Sequence, residues 1–420
     1  MTAAADDLIR IRREIHAFAE LPFLEIRTAA LVVRELRGLP CSIRLGRDAM
    51  RPDVVEGYPD AAARAAAAER AIAAGADPGL AQAFAEHGTA VIADIEGSRP
   101  GPTWAIRFDM DALPIEESSE PDHLPARLGF RSTTGAMHAC AHDGHVAIGL
   151  ALARRLADRD FAGRVRLLFQ PAEESVRGGA AMISAGAADG VDRFLGIHLG
   201  NTLPSGTMVG SAVGLQATTK FAAVFRGVAA HAAGAPQHGR NAIAAAAVAT
   251  TGILALPRSS DGVTNVNVGT ISGGSATNII PDRAALTGEV RSDAEAVCAQ
   301  LYDGVTRVVA AAAAMHDVGH ELRATARSTT IASDDELVDQ VLACAERRFG
   351  SERLRRTAVL SASDDASLWA AEVQRAGGLA TYVLVGSGNP APHHNPRFDI
   401  DESSMSVGLS WLEDIVREAR

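Results

Sequence analysis

Short apolar runs alternate with helical patterns along much of this chain, and that alternation limits its fold more than any other feature. Gly163–Phe169 has the continuous apolar content of a buried strand, Gly179–Ala185 the pattern of a helix, and Phe194–His198 that of a further strand. Thr89–Ile95 and Pro102–Phe108 read as neighbouring strands around the turn-like Gly97–Gly101, and His145–Leu156 as a helix. Strands alternating with helices call for a mostly parallel sheet covered on both faces. Ligands of such sheets gather beyond the carboxyl ends of the strands, where Gln170-Pro171-Ala172-Glu173-Glu174 and His198 fall.

Upstream, Leu8–Arg37 carries helical periodicity and reads as two helices broken near Leu21-Pro22, because proline removes a donor and restricts its predecessor. The alanine-rich stretch Arg51–His87, punctuated by Gly75 and Pro78, reads as a helical insertion. Around Ser211 the texture changes. Gln216–Arg226 is strand-like, Gly239–Leu256 helical, Val263–Ile271 and Arg283–Arg291 strands, Ala294–Met315 a helix and Glu321–Ala326 a last strand. That β-α-β-β-α-β order is the split unit of a small ferredoxin-like α+β domain. Asp335–Phe349, Arg356–Leu360, Ala366–Arg375 and Leu379–Val385 then resume the earlier alternation. The economical division is an α/β domain of residues 1–210 plus 327–420, with 211–326 inserted in it, and 420 residues suffice for two cores.

A formal charge of -11, from 40 Lys plus Arg against 51 Asp plus Glu, argues against nucleic acid as an obligate partner. No apolar stretch approaches the roughly 20 residues that span a bilayer, so no membrane association is expected. Met1–Asp7 lacks the basic and apolar regions of an export signal, and four irregularly spaced cysteines point to no disulfide framework. A reducing cytoplasm is the expected setting.

Met137-His138-Ala139-Cys140-Ala141-His142-Asp143-Gly144-His145 packs five candidate ligands into nine residues. Thiolate and imidazole suit a borderline divalent metal, although short histidine clusters also serve as buried hydrogen-bonding knots. Glu173-Glu174 at a strand end shifts the balance, since one carboxylate can bind metal while its neighbour faces an attacking water. His198 and the pair His393-His394 supply further imidazoles, with Asp109, Asp111 or Asp143 available to fix their tautomers.

Taken in order, Asp109-Met110-Asp111-Ala112-Leu113-Pro114, the Met137–His145 segment, Gln170–Glu174 and Gly196-Ile197-His198 resemble the signatures of M20-type metallopeptidases, in the amidohydrolase branch that includes hippurate and indoleacetyl-amino-acid hydrolases. The resemblance covers nearly the whole chain. It implies a metal-dependent aminopeptidase-like catalytic domain and gives the inserted ferredoxin-like domain a lid and dimerisation role. It implies up to two divalent ions, Mn or Zn, held by Cys140, His142, Glu174, His198 and His394, with Glu173 as general base and Asp111 orienting them. His394 is preferred to His393 because the branch places its last ligand just before a small polar residue and proline, here Asn395-Pro396. One departure is Ala141 where the branch has glycine; a positive φ there would add strain and could shift Cys140.

In the inserted domain the resemblance implies that His231 reaches into the active site of a partner chain to polarise the scissile carbonyl, and that Asn278 and Arg291 hold a substrate carboxylate. A salt-bridged strand residue is the equal alternative for Arg291. The expected activity is hydrolysis of an N-acyl or N-aroyl amino acid, with p-aminobenzoyl-glutamate the favoured small carboxylated aromatic substrate. A homodimer or higher homo-oligomer is expected, and the likeness to the p-aminobenzoyl-glutamate-hydrolysing subgroup leaves room for a companion subunit. Two alternatives stand: an aminohydrolase releasing ammonia from 5-nitroanthranilate or a similar aromatic amine, and a metal-binding protein that has lost its chemistry.

Overall fold

The computed structural model describes residues 3–200, 202–360 and 362–418. Its strands, in chain order, are β1 (Ser42–Leu45), β2 (Val91–Glu96), β3 (Arg99–Asp109), β4 (Ala162–Gln170), β5 (Arg193–Leu199), β6 (Met208–Val213), β7 (Ala217–Arg226), β8 (Asn265–Gly273), β9 (Arg283–Ser292), β10 (Gly319–Ser328), β11 (Leu354–Val359) and β12 (Leu379–Val385). They form an eight-stranded sheet, β1-β2-β4-β3-β5-β12-β6-β11, and a four-stranded sheet, β10-β7-β9-β8. The chain divides into a unit of Met1–Val213, Ile331–Leu360 and Asp364–Arg420 and a unit of Gly214–Thr330 with Ser361–Ser363.

In the large sheet β4, β3, β5 and β12 run parallel, as the alternation demands. The sheet is nonetheless mixed, because β1/β2, β2/β4 and β12/β6 are antiparallel. The expectation that β2 and β3 are neighbours is corrected: β4 lies between them. The turn joining them does not close a hairpin but wraps the start of β4, where Gly97 N bonds to Gly163 O and a Cβ on Gly97 would stand 2.4 Å from Phe161 O. β6, which straddles the expected domain boundary at residue 211, belongs to this sheet.

Helices cover the sheet through apolar faces. Leu8, Ile11 and Ile15 of Ala3–His16, and Leu412, Ile415 and Val416 of Ser403–Glu418, join Trp104, Ile106 and Phe108 of β3 in one core. In the alanine-rich insertion the helices Ala61–Ala73 and Pro78–His87 begin where the Asp60 and Asp77 side chains accept from Ala63 N and Leu80 N. Register then sets the site: Asp109 pairs with Gln170 and His198 with Leu384, so the carboxyl ends of β3, β4, β5 and β12 arrive together.

The second unit is an antiparallel sheet backed by the helices Ala242–Leu254 and Glu295–Met315, whose small and apolar faces form its own core with Phe221, Phe225, Leu286 and Val290. β8 and β10 are its edges.

Candidate metal centre

The loop before the helix His142–Arg155 starts from a bridge in which Leu113 and Met137 exchange backbone hydrogen bonds. It ends at Ala141, which lies in the left-handed region at φ 69° and caps the helix by accepting from Gly144 N and His145 N. An L-residue there costs about 1–2 kcal/mol. Glycine would relieve that cost, but its greater freedom when unfolded costs about 0.5–1 kcal/mol, and the fully buried methyl contributes about 0.8 kcal/mol. These terms nearly cancel. Ala141→Gly should therefore change the unfolding free energy from denaturant titration by less than about 1 kcal/mol; a gain above about 2 kcal/mol would show strain that nothing offsets. The methyl does not remove Cys140 from the cluster, since its Sγ stands 3.4 Å from His198 Nε2 and 3.3 Å from His393 Nδ1.

Backbone carbonyls set the imidazole tautomers. A carbonyl only accepts, so His142 Nδ1–H donates to Asp111 O at 2.8 Å and His198 Nδ1–H to Leu199 O at 2.8 Å. In the neutral ring each then carries its lone pair on Nε2. His142 Nε2 is buried with no hydrogen-bond partner, as is Glu174 Oε1. His145 differs: it faces Asp109 Oδ1 at 2.5 Å and accepts from Leu199 N at 2.9 Å, so neither nitrogen is left for an ion. Asp143 is engaged by Arg12 and His16, and His138 joins none of the ligand groups.

The turn after β4 carries the two glutamates. Asp111 accepts from Glu173 N at 2.9 Å and Glu174 N at 3.0 Å, and the buried Glu25 carboxylate accepts from Ala172 N at 2.9 Å. Three successive amides are thus gripped by two carboxylates. Gly178 closes the turn so tightly that a Cβ would lie 1.6 Å from Pro171 O. Glu173 Oε2 then stands 3.8 Å from His142 Nε2, and potential ligand atoms of Cys140, Glu174 and His394 lie within 4.8 Å of one another.

Electrostatics bear on whether a cation fits. Burial, with Asp364 and Glu174 nearby, raises the Glu173 carboxyl well above its usual range. Burial, with Asp111 and Asp109 adding to it against the pull of His142, pushes Glu174 up to about 7. Burial and Glu174 raise the Cys140 thiol, while burial and the imidazoles of His145 and His393 hold His198 well below the usual histidine range. A divalent cation among these groups would stabilise their ligating forms. Orphaned Nε2 and Oε1 atoms beside a sulfur give the donor set of such an ion.

Sequence reasoning missed the support beneath the centre. The fully buried Arg107 is within 2.6 Å of Asp109, 3.1 Å of Asp364 and 2.9 Å of Asp365, and Tyr382 donates to Asp364 at 2.5 Å. Asp364 and Asp365 also neighbour the Glu173 carboxylate. The available signal was an arginine within the apolar run Trp104–Phe108, since a buried charge requires partners. Glu25 gave no comparable sign.

In the second unit a backbone bridge joins His231 to Ile279, which sets His231 beside Asn278. His231 is exposed, and its Nδ1 accepts from Ala233 N and Gly234 N, so Nε2 carries the proton and faces outward as a donor. Arg291 lies on β9 and is engaged in a fork by Glu289 of its own strand, at 2.9 and 3.0 Å.

Residues 105–418 match the family described as Peptidase family M20/M25/M40. The chain is 41% identical over 411 residues to the indole-3-acetyl-aspartic acid hydrolase of Enterobacter agglomerans, covering 97% of this chain and 94% of that one. It is 38% identical over 416 residues to one subunit of the p-aminobenzoyl-glutamate hydrolase of Escherichia coli K12, covering 98% and 95%. The crystal structure of an aminobenzoyl-glutamate utilization protein from Klebsiella pneumoniae superposes with a TM-score of 0.85 at 38% identity, covering 99% and 96%. A Bacillus subtilis structure described as a dinuclear metal binding peptidase of the M20 family gives 0.69 at 25% identity, covering 99% and 98%.

Proposed function

This chain belongs to the M20/M25/M40 peptidase family and is a hydrolase, and from that premise we propose that it cleaves the amide of an N-aroyl or N-arylacetyl amino acid, with p-aminobenzoyl-glutamate the favoured substrate. The observation that carries the reading is the clamped turn, which presents Glu173 and Glu174 side by side next to Cys140 and the orphaned Nε2 of His142. Cys140, His142, Glu174, His198 and His394 would hold up to two divalent ions, Mn or Zn. When bound, the ions polarise the carbonyl and make water a stronger acid.

The chain's own groups do the rest. Glu173 takes the proton of the attacking water and returns it to the leaving amine, and Asp111 keeps the two glutamates in their places through the amides of the turn. His231, with its proton on Nε2, is suited to donate to the developing oxyanion, and the resemblance assigns that task to the active site of a partner chain. Asn278 lies beside it to receive a substrate carboxylate. Arg291 joins that contact only by releasing Glu289. The unit carrying these residues leaves the β8 edge open for pairing, in keeping with a homodimer. The Escherichia coli relative is named as one subunit of its enzyme, which leaves room for a companion chain. Four cysteines without a disulfide suit a cytoplasmic setting, and no described helix is long and apolar enough to cross a membrane.

The deciding experiment supplies Mn or Zn to the purified chain and measures p-aminobenzoate release from its glutamate conjugate, amino-acid release from indole-3-acetyl-aspartate and hippurate, and ammonia release from 5-nitroanthranilate. Amide cleavage at carboxylated substrates is the expected result. Ammonia release without amide cleavage would replace the substrate class, and metal uptake with no turnover at all would favour a binding protein.

A further inference from the structure

We infer that His393 is a metal ligand in its own right, so that the two consecutive histidines serve different positions of the centre. His393 joins Cys140 and His198 in a sulfur-nitrogen-nitrogen position, and His394 joins Cys140 and Glu174 in the other, on the side where Glu174 also adjoins His142. The inference rests on the metal-centre reading above and adds a ligand that the family pattern does not supply.

The first support is geometric. Cys140 Sγ is 3.4 Å from His198 Nε2 and 3.3 Å from His393 Nδ1. An ion bound at about 2.3 Å to sulfur and about 2.1 Å to nitrogen, with a tetrahedral angle, separates the two donors by about 3.6 Å. The observed spacings differ from that by only a few tenths of an ångström.

Proton accounting gives the second. His198 Nε2 is a bare lone pair, because its other nitrogen donates to Leu199 O. The thiol proton of Cys140 serves that lone pair, and the same sulfur meets His393 Nδ1. One cation satisfies the sulfur and both imidazoles together.

The backbone supplies the third. His394 lies at φ 63°, a left-handed conformation that turns the chain between the two histidines, and its N–H donates to Ala139 O at 2.9 Å, tying the pair to the Cys140 loop. The His393 ring packs on Phe398 with centroids 4.7 Å apart. Its other edge passes close over Gly200, where a Cβ would stand 2.7 Å from Nε2. These contacts orient the ring with Nδ1 toward Cys140.

The donor sets differ in chemistry. Sulfur with two imidazoles and no carboxylate suits zinc or cobalt, whereas the position with Glu174 also accepts a harder ion such as manganese. Chelator-stripped full-length protein should be titrated with Zn or Co alone, against a chromophoric competitor, with ions per chain counted and the cobalt–thiolate absorption recorded. The wild-type chain should take two ions. His393→Ala should weaken one of them by about 100-fold or more, with loss of part of the cobalt–thiolate absorption, while His394→Ala should weaken the other. His393→Gln, which refills the space over Gly200, should reproduce the loss in a folded chain if the alanine variant does not fold. Two ions at wild-type affinity in either folded His393 variant would overturn the inference and leave the centre intact. A wild-type chain that binds no divalent ion would instead sink the metal-centre reading, and this inference with it.

Discussion

Glu173→Gln should reduce turnover by about three orders of magnitude while the protein keeps its metal ions, a size set by the contribution of a positioned general acid–base. Glutamine is isosteric, and the amides of residues 172–174 remain bound to Glu25 and Asp111, so the turn keeps its shape. What is lost is an oxygen able to accept and return a proton. Glu174 lies in the same group as Glu173 and His142, but it also meets Cys140 and His394, and a carboxylate engaged by a metal there would be the poorer base. The measurement is kcat with metal content determined on the same sample. Turnover within tenfold of wild type at full occupancy would dismiss Glu173 as the base.

Arg107→Met should cost about 3–5 kcal/mol, the range for removing one partner of a buried ion pair. Arg107 is fully buried among Asp109, Asp364 and Asp365, and methionine of similar length would leave these carboxylates without their cation. They could be accommodated only by taking up protons, so the deficit should shrink as pH falls. Urea unfolding at neutral pH and again near pH 5 reads both effects. A change below about 1 kcal/mol at neutral pH would mean that the cluster is already protonated or hydrated and that Arg107 does not hold it together.

What can be read from the residues follows the range of the forces involved. Periodicity and punctuation alone delimit Asp335–Phe349, Ala366–Arg375 and Leu379–Val385, and the structure has the same bounds. The ferredoxin-like order is legible for the same reason, since each element carries its own local pattern. Strand neighbours are not, and β4 lies between β2 and β3 because pairing depends on contacts far apart in sequence. Within the candidate centre, Cys140 and His142 stand out by their chemistry, and Glu173, Glu174 and His198 by their places at strand ends. A pattern before proline favours His394 over His393, but it cannot show which way two consecutive side chains turn; the left-handed backbone at His394 does. Glu25 grips Ala172 and Thr89 from far along the chain with no sign of it nearby, and the apolar run around Arg107 betrays a buried charge without telling that Asp364 and Asp365 meet it.

The place of β12 has a consequence for how the chain is made. It is the last of the described strands to leave the ribosome, yet it lies between β5 and β6 in the middle of the large sheet. Until residues 379–385 emerge, the facing edges of β5 and β6 have no strand to pair with, and such open edges are prone to join those of other chains. The gap closes only through a contact between segments separated by well over a hundred residues, which makes it slow. His393 and His394 follow β12 on the chain, so the centre gains its final imidazoles only after the sheet beneath them can be completed. On the proposed ligand set, an ion met by the nascent Cys140 and His142 would find its donors incomplete until residues 393 and 394 have followed.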